Sequence, residues 1–200
     1  MNLNLYKKAL FICCTLLTFS FAKAQYGIEV NYGLNGVIEP SNSNFSHFGG
    51  GITYDFDETY GLKLDFGSDK FRIDNPNYNE KTGLDITRIS LQGTVNLSSA
   101  LTRASSYDTF NILAHAGAGY SLIKSSIHPG NDNTVNLIAG ITPRFRISEG
   151  LYFAIDVATI FNISQHYNFD GEFSYTDTLN SFTGITYNVT GGIVYKFNEY

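Results

Sequence analysis

The chain has 200 residues, with 13 lysines and arginines against 18 aspartates and glutamates and a formal net charge of −5. This balance argues against nucleic-acid binding, which needs a basic surface. The length is that of one domain, and after residue 24 no apolar run reaches the ~20 residues that a membrane-spanning helix needs.

The beginning of the chain has the three parts of a cleaved secretory signal. Lys7 and Lys8 form a basic start, an apolar core follows over 10–21, and Ala22-Lys23-Ala24 is a small-residue cleavage site. The core is too short for a transmembrane anchor. We therefore predict a signal peptide over 1–24.

The exported chain is then expected to be a single domain over 25–200 without cysteine. Both cysteines, Cys13 and Cys14, lie in the predicted signal, which leaves no disulfide or thiol chemistry for the mature protein. A lipidated cysteine is disfavoured because the bulky Ile12 precedes Cys13.

Eight segments alternate apolar and polar residues with a period of two, which is typical of β-strands with one apolar face. They cover 26–36, 45–56, 60–72, 84–97, 110–124, 134–147, 151–164 and 182–197. Several have about 14 residues, against the ~5–6 of an ordinary globular strand. We expect no helix after the signal.

The connections between these segments alternate in length. Long polar connections cover 37–44, 73–83, 125–133 and 166–180, and tight turns cover 57–59 and 148–150. Such alternation places the two kinds at opposite ends of an all-β, eight-stranded, antiparallel up-and-down barrel. The connection 98–109 is an exception, because it is long where a tight turn is expected.

The hairpin over 134–164 shows the alternation most regularly. Its outward apolar set is predicted to contain Val135, Leu137, Ala139, Ile141, Phe145, Ile147, Leu151, Phe153, Ile155, Val157, Phe161 and Ile163. Its second arm turns Tyr152, Ala154, Asp156, Ala158, Asn162 and Ser164 the other way. Pro143 lies in the outward set, where it removes a ladder hydrogen bond, so we predict a bulge there. That bulge would change the faces of Arg144 and Arg146.

Alternation alone leaves two barrels open: a soluble lipocalin-like one with an apolar interior, and a transmembrane one with its apolar face outward. Aromatic residues at the strand ends favour the transmembrane barrel, because they form two girdles around an aliphatic band. The girdle near the tight turns contains Tyr26, Tyr54, Phe56, Tyr60, Phe110, Phe145, Phe153, Tyr195 and Phe197. The girdle near the long loops contains Phe48, Phe66, Tyr120, Phe161 and Phe182.

The polar face of the strands carries charges of both signs, which favour an enclosed lumen in which they pair. The predicted lumen polar network is Glu29, Lys63, Asp65, Arg88, His115, Arg144 and Asp156. Glu29, Asp65 or Asp156 would pair with Arg88, Lys63 or Arg144. Since eight strands enclose just enough space for side chains, these groups would fill the lumen and leave no wide channel.

Four stretches, ITRISLQGTVNL, FNILAHAGAGYSL, AGITPRFRIS and FNISQHYNFDG, resemble the transmembrane domain of outer-membrane protein A (OmpA)-type proteins. The resemblance covers essentially all of 25–197. It implies an integral outer-membrane barrel that contacts membrane lipid and is delivered by periplasmic chaperones to the barrel-assembly machinery. Tyr195 and Phe197 resemble the aromatic insertion signal, although Asn198-Glu199-Tyr200 continue beyond it. The peptidoglycan-binding domain of larger members is not expected here.

Candidate chemistry is sparse. His47 and His115 share the polar face, and His128 and His166 fall in loops, but no nucleophile-elbow, zinc-binding or phosphate-binding motif accompanies them. Four loop acids are better explained as turn formers than as metal ligands: Asp132, Asp170, Glu172 and Asp177. We therefore predict no catalytic, cofactor-binding or metal-binding residue and no cofactor.

Four functional hypotheses remain. The first is a structural or surface-interaction barrel that contacts an extracellular ligand through loops such as 73–83 and 166–180. The alternatives are a narrow-pore or small-ligand transport barrel, a membrane enzyme with its site at the loop end, and a soluble lipocalin-like periplasmic binding protein.

Overall fold

The computed structural model describes residues 25–38, 41–103, 105, 108–174 and 182–197. The predicted signal over 1–24 and the last three residues, 198–200, lie outside the described residues. The elements are β1 (Gln25–Val37), β2 (Asn42–Asp55), β3 (Tyr60–Lys70), β4 (Ile73–Asn75), β5 (Glu80–Thr82), β6 (Leu84–Asn96), α1 (Leu97–Thr102), β7 (Phe110–Ser125), β8 (Asp132–Ser148), β9 (Leu151–Gln165) and β10 (Phe182–Lys196).

Eight of the strands form a closed antiparallel barrel, as predicted. Neighbours follow the order β1, β2, β3, β6, β7, β8, β9, β10, and β10 returns to β1. The closing ladder runs from the pair Gly27–Lys196 to the pair Val37–Thr186. Closure leaves no sheet edge, which a bilayer requires because its hydrocarbon core offers no hydrogen-bond partner.

Two connections contain structure that the alternation did not predict. Strands β4 and β5 make a small separate hairpin within the polar segment 73–83. The expectation of no helix was wrong, since α1 covers the first part of the connection 98–109. The Asn96 side chain accepts a hydrogen bond from the Ser99 N–H (3.3 Å) and caps the start of α1, and a left-handed Arg103 (φ 56°) ends it.

The bulge predicted at Pro143 is absent. Pairing with β7 passes through Pro143 without interruption, and pairing with β9 resumes at Arg144 in the register held at Ile141. The missing proline N–H therefore costs ladder bonding without inserting a residue. Arg144 consequently stays on the lumen side, where it is buried, and the register changes only later, between Arg146 and Ser148.

A second irregularity lies at Ser164, which the alternation placed on the inward face. Ser164 adopts a left-handed conformation (φ 59°) and is exposed, and Gln165 takes the buried position instead. The partner strand shows the corresponding register change between Phe182 and Gly184. A bulge therefore ends the regular part of β9 and redirects the chain that follows it.

The outer surface of the barrel is an apolar belt with aromatic residues at both of its edges. Exposed aliphatic members include Ile28, Val30, Ile52, Leu64, Ile89, Leu91, Val135, Leu137, Ile141, Val157 and Ile193. Aromatic pairs mark the turn end, for example Phe110 with Phe145 and Tyr195 with Phe197, each with ring centroids 5.0 Å apart. Phe182 departs from its predicted girdle, because it packs against a buried apolar cluster. No helix among the described residues is long and apolar enough to cross a membrane.

Candidate functional site

The middle of the lumen contains the predicted polar residues, arranged around Lys63. The Lys63 ammonium contacts the carboxylates of Glu29 and Asp65, the latter at 3.1 Å, and Arg144 approaches Glu29 at 3.6 Å. All four side chains are buried. Each charge therefore has an opposite charge beside it, which offsets the high cost of removing it from water.

Arg88 pairs with a carboxylate that the sequence interpretation did not name. Its guanidinium lies 3.2 Å from Asp69, and the same Asp69 accepts a contact from His47 Nδ1 at 2.7 Å. The second His47 ring nitrogen lies 3.1 Å from the Asn31 side-chain oxygen. The available signal was the parity of β3, on which Asp69 shares the inward face of Lys63 and Asp65.

His115 forms the third part of the network. Its Nδ1 lies 2.6 Å from the Gln92 side-chain oxygen, and its Nε2 lies 2.9 Å from Asp156. Asp156 also accepts a hydrogen bond from the Thr142 hydroxyl at 2.6 Å. Both imidazoles, those of His47 and His115, thus have both ring nitrogens within hydrogen-bond distance of lumen side chains.

Glycines opposite the large polar side chains make room for them. A Cβ built on Gly67 would lie 2.6 Å from the Arg88 guanidinium, and one on Gly140 would lie 2.5 Å from His115 Nε2. Both distances are well below normal van der Waals contact. The long side chains of Arg88 and His115 therefore occupy the space that Gly67 and Gly140 leave free.

The space left between these groups is small. A cavity of about 10 Å³, room for about one water molecule, lies among Lys63, Arg88, His115 and Asp156. Among the described residues, no group of three or more histidine, cysteine, aspartate or glutamate side chains is placed to hold a metal ion.

The turn end of the lumen carries one more ion pair. Lys196 contacts Asp55 at 3.0 Å, and its ammonium lies 5.6 Å from the centre of the Tyr152 ring. Tyr195 and Phe197, the predicted insertion-signal aromatics, face outward at the same end, and the Phe197 N–H donates to the Tyr26 carbonyl (2.7 Å).

The loop end is closed by an apolar cluster that we call the loop-end cap. Its buried members are Val37, Phe71, Leu84, Ile86, Ile123, Tyr167 and Phe169. Two of them, Tyr167 and Phe169, come from the segment after β9, which turns inward rather than outward. The Thr82 hydroxyl donates to the Asp170 carbonyl and the Ser125 hydroxyl to the Gly171 carbonyl (2.7 Å).

The two loop histidines tie the segment after β9 to other parts of the loop end. His128 lies 3.0 Å from Glu172, and its ring packs on Phe173 with centroids 4.3 Å apart. His166 contacts Asp132 through its backbone N–H (2.7 Å) and its Nδ1 (3.0 Å). These acids thus hold loops together, while Asp177 lies outside the described residues.

Solved structures provide the comparison with known proteins. The N-terminal β-barrel domain of Pseudomonas aeruginosa OprF matches with a TM-score of 0.55 and 13% identity, covering 86% of this chain and 97% of that one. Neisserial surface protein A (NspA) matches at 0.57 and 7%, covering 87% and 97%. A major outer membrane protein from Thermus thermophilus matches at 0.57 and 12%, covering 88% and 100%. No family model and no curated protein matches the chain.

Likeness at such identities shows the fold, and the OmpA-like eight-stranded barrel predicted from the sequence is confirmed. The soluble lipocalin-like alternative requires an apolar interior, whereas this barrel buries its charges and exposes its aliphatic belt. The exposed belt is the surface that a membrane-spanning barrel presents to lipid, and the matched Thermus thermophilus structure is an outer-membrane protein, in agreement with the predicted location.

Proposed function

We propose that this integral outer-membrane barrel of the OmpA-like type is a structural and surface-interaction protein whose lumen is closed to solutes. The observation that carries the proposal is the pairing of the lumen charges with one another around a cavity of about 10 Å³. A conducting pore needs a continuous water-filled path with groups free to exchange partners with the solute.

The loop-end cap supports closure at a second level. Its buried aromatics lie between the lumen network and the loop side, so a solute would have to displace both layers. Because the segment after β9 turns Tyr167 and Phe169 inward, the β4–β5 hairpin is the better surface for a ligand outside the cell. Its tip exposes Asn77 and Tyr78.

Single-channel recording on the purified protein in planar bilayers tests closure. We expect no stable conductance above that of the bare bilayer, and no uptake of sugars in a vesicle-swelling assay. A large, stable conductance would contradict the closed lumen and favour the narrow-pore alternative.

The orientation of the hairpin is tested by cysteine labelling, because no cysteine follows the predicted signal. Asn77→Cys should react with a membrane-impermeant maleimide on intact cells, while Glu149→Cys, in the tight turn between β8 and β9, should react only after lysis. The opposite result would mean that the barrel has the inverse orientation in the membrane, and that the hairpin is not a surface for extracellular ligands.

Assembly is proposed to depend on the barrel-assembly machinery and periplasmic chaperones. Phe197 faces outward at the end of the closing strand, where an insertion factor has access to it before closure. Phe197→Ala should slow the appearance of folded barrel in cells, measured by heat-modifiable gel migration, whereas Phe145→Ala on the same rim should not. Equal delays would show that the residue acts only as a girdle aromatic.

A further inference from the structure

The lysines and arginines of the barrel strands divide into two sets. Five lie on the lumen side, of which Lys63, Arg88, Arg144 and Lys196 are buried and Arg146 is half-buried. Lys70 and Lys124 instead are exposed on the outer face, at the loop ends of β3 and β7. An outward charge on a lipid-facing surface is costly at the middle of a bilayer and tolerated only near its surface.

The register brings these two lysines into one row. Lys70 pairs with Asp85 of β6, and Asp85 pairs with Lys124 of β7. Two strand spacings of ~4.8 Å put the two lysine Cα atoms about 10 Å apart. The row therefore holds two ammonium groups, one on β3 and one on β7, with Asp85 of β6 between them.

The carboxylate between the lysines is already neutralised from another side. Arg72 donates to Asp85 at 2.7 Å, and its guanidinium is anchored by hydrogen bonds to the carbonyls of Phe71 (2.7 Å) and Leu84 (3.2 Å). Within the described part of the chain, Lys70 and Lys124 form no ion pair or side-chain hydrogen bond. We call Lys70, Arg72, Asp85 and Lys124 the rim patch, which has a net charge of +2 on a chain of net charge −5.

The height of the rim patch is set by the rows beneath it. The row two steps lower on the same strands is Phe66, Ile89 and Tyr120, all exposed and part of the apolar belt. Four residues along a strand are ~13 Å, which the tilt of barrel strands reduces to about 10 Å of height. Flexible lysine side chains span part of that distance. With the aromatic girdle that contains Phe66 and Tyr120 placed at the membrane surface, the ammonium groups would lie within reach of the headgroups.

We propose that the rim patch binds the phosphate of anionic lipid headgroups, with the acyl chains lying against the belt below it. This rests on the proposed membrane-spanning function. The charge complementarity is with a phosphate, and the continuity with the apolar belt selects a lipid over a soluble anion. Each lysine near a membrane surface contributes roughly a fivefold gain in affinity for anionic lipid, so the pair contributes about 20–30-fold.

The test uses the folded full-length protein in a non-ionic detergent, with bound lipid measured by native mass spectrometry. Dioleoyl phosphatidylglycerol should bind about 20-fold more tightly than dioleoyl phosphatidylcholine. Lys70→Gln/Lys124→Gln should abolish that preference. Lys81→Gln is the matched control, since Lys81 is exposed on β5 and only loosely paired with Asp74 at 4.0 Å, and it should leave the preference intact.

Three outcomes would overturn the proposal: an unchanged preference in the double variant, an equal loss in Lys81→Gln, or competition by inorganic phosphate at the concentration of the lipid. The first two would mean that lipid binding does not depend on Lys70 and Lys124 in particular. The third would mean that the rim patch is a site for soluble phosphate. Heat-modifiable migration confirms that each variant is folded. If the wild type fails to fractionate with the outer membrane, the proposed function itself fails, which this lipid measurement does not report.

Discussion

The middle of the lumen and the loop-end cap fill the same tube in opposite ways. The middle holds charges whose partners are other charges, as in Lys63 with Glu29, and the cap holds aromatic and aliphatic side chains such as Phe71 and Phe169. A buried ion pair stabilises only while it is complete, since removal of one partner leaves an uncompensated charge. Apolar packing instead is lost in proportion to the area removed. The two regions should therefore respond differently to the loss of a single side chain.

The largest expected effect is at Glu29, which has two cationic partners, Lys63 and Arg144. Glu29→Ala leaves both without this carboxylate and should lower the free energy of unfolding by about 3–5 kcal/mol. Urea titration of the barrel in lipid vesicles measures it. Glu80→Ala, at an exposed position of β5, should change stability by less than about 0.5 kcal/mol. Equal effects would mean that the loss of a lumen carboxylate costs no more than the loss of an exposed one.

Phe169→Ala probes the cap and should cost about 3–4 kcal/mol by opening a cavity between Phe71 and Phe182. Phe169→Leu, which keeps most of the volume, should cost less than about 1.5 kcal/mol. The loss should follow the apolar area removed, so the two variants should differ clearly. An equal loss in both would remove the distinction between the two regions.

Arg88→Ala should cost less than the change at Glu29, about 2–3 kcal/mol, because Asp69 keeps His47 as a partner. Permeability to sugars should barely change, because the cap remains. Arg88→Ala/Asp69→Asn should cost less than Arg88→Ala alone, since no uncompensated charge remains. A more damaging double variant would assign the loss to packing, as in the cap.

The smallest effect concerns the glycines that make room in the lumen. Gly140→Ala places a methyl group against His115 and should cost about 1–2 kcal/mol. Gly191→Ala on β10 is the matched control, because its Cβ would meet Phe153 only at 3.7 Å, an ordinary contact. Equal stability of the two variants would show that the lumen side chains have spare room.

The sequence determined the middle of the barrel better than its loop end. Period-two alternation identifies the face of each residue, so burial of Lys63, Arg88 and Arg144 followed from it. It does not identify partners, because Arg88 pairs across the sheet with Gly67 and has Asp65 and Asp69 on either side of that position. Arg88 pairs with Asp69, while Asp65 binds Lys63. The partner of Arg88 therefore depends on the other ion pairs of the network.

The loop-end cap was missed for a different reason. Tyr167 and Phe169 stand in a polar segment after β9, where local pattern predicts an outward loop. The bulge at Ser164 turns this segment inward, and a left-handed serine carries no strong sequence signal because glycine or asparagine usually occupies such a position. At Pro143 the local signal was strong, but the predicted bulge is absent. The neighbouring strands keep the register there despite the lost hydrogen bond.

The ladder between β1 and β10 has a kinetic consequence. Gly27 finds its partner only when Lys196 is available, so the barrel cannot close until nearly the whole chain has arrived. Until then the edge of β1 has unpaired backbone N–H and C=O groups with which another strand can pair, and the apolar belt has no lipid beside it. Pairing of such distant segments makes folding slow. The unclosed state is therefore the one in which the chain is most exposed to wrong pairing and aggregation.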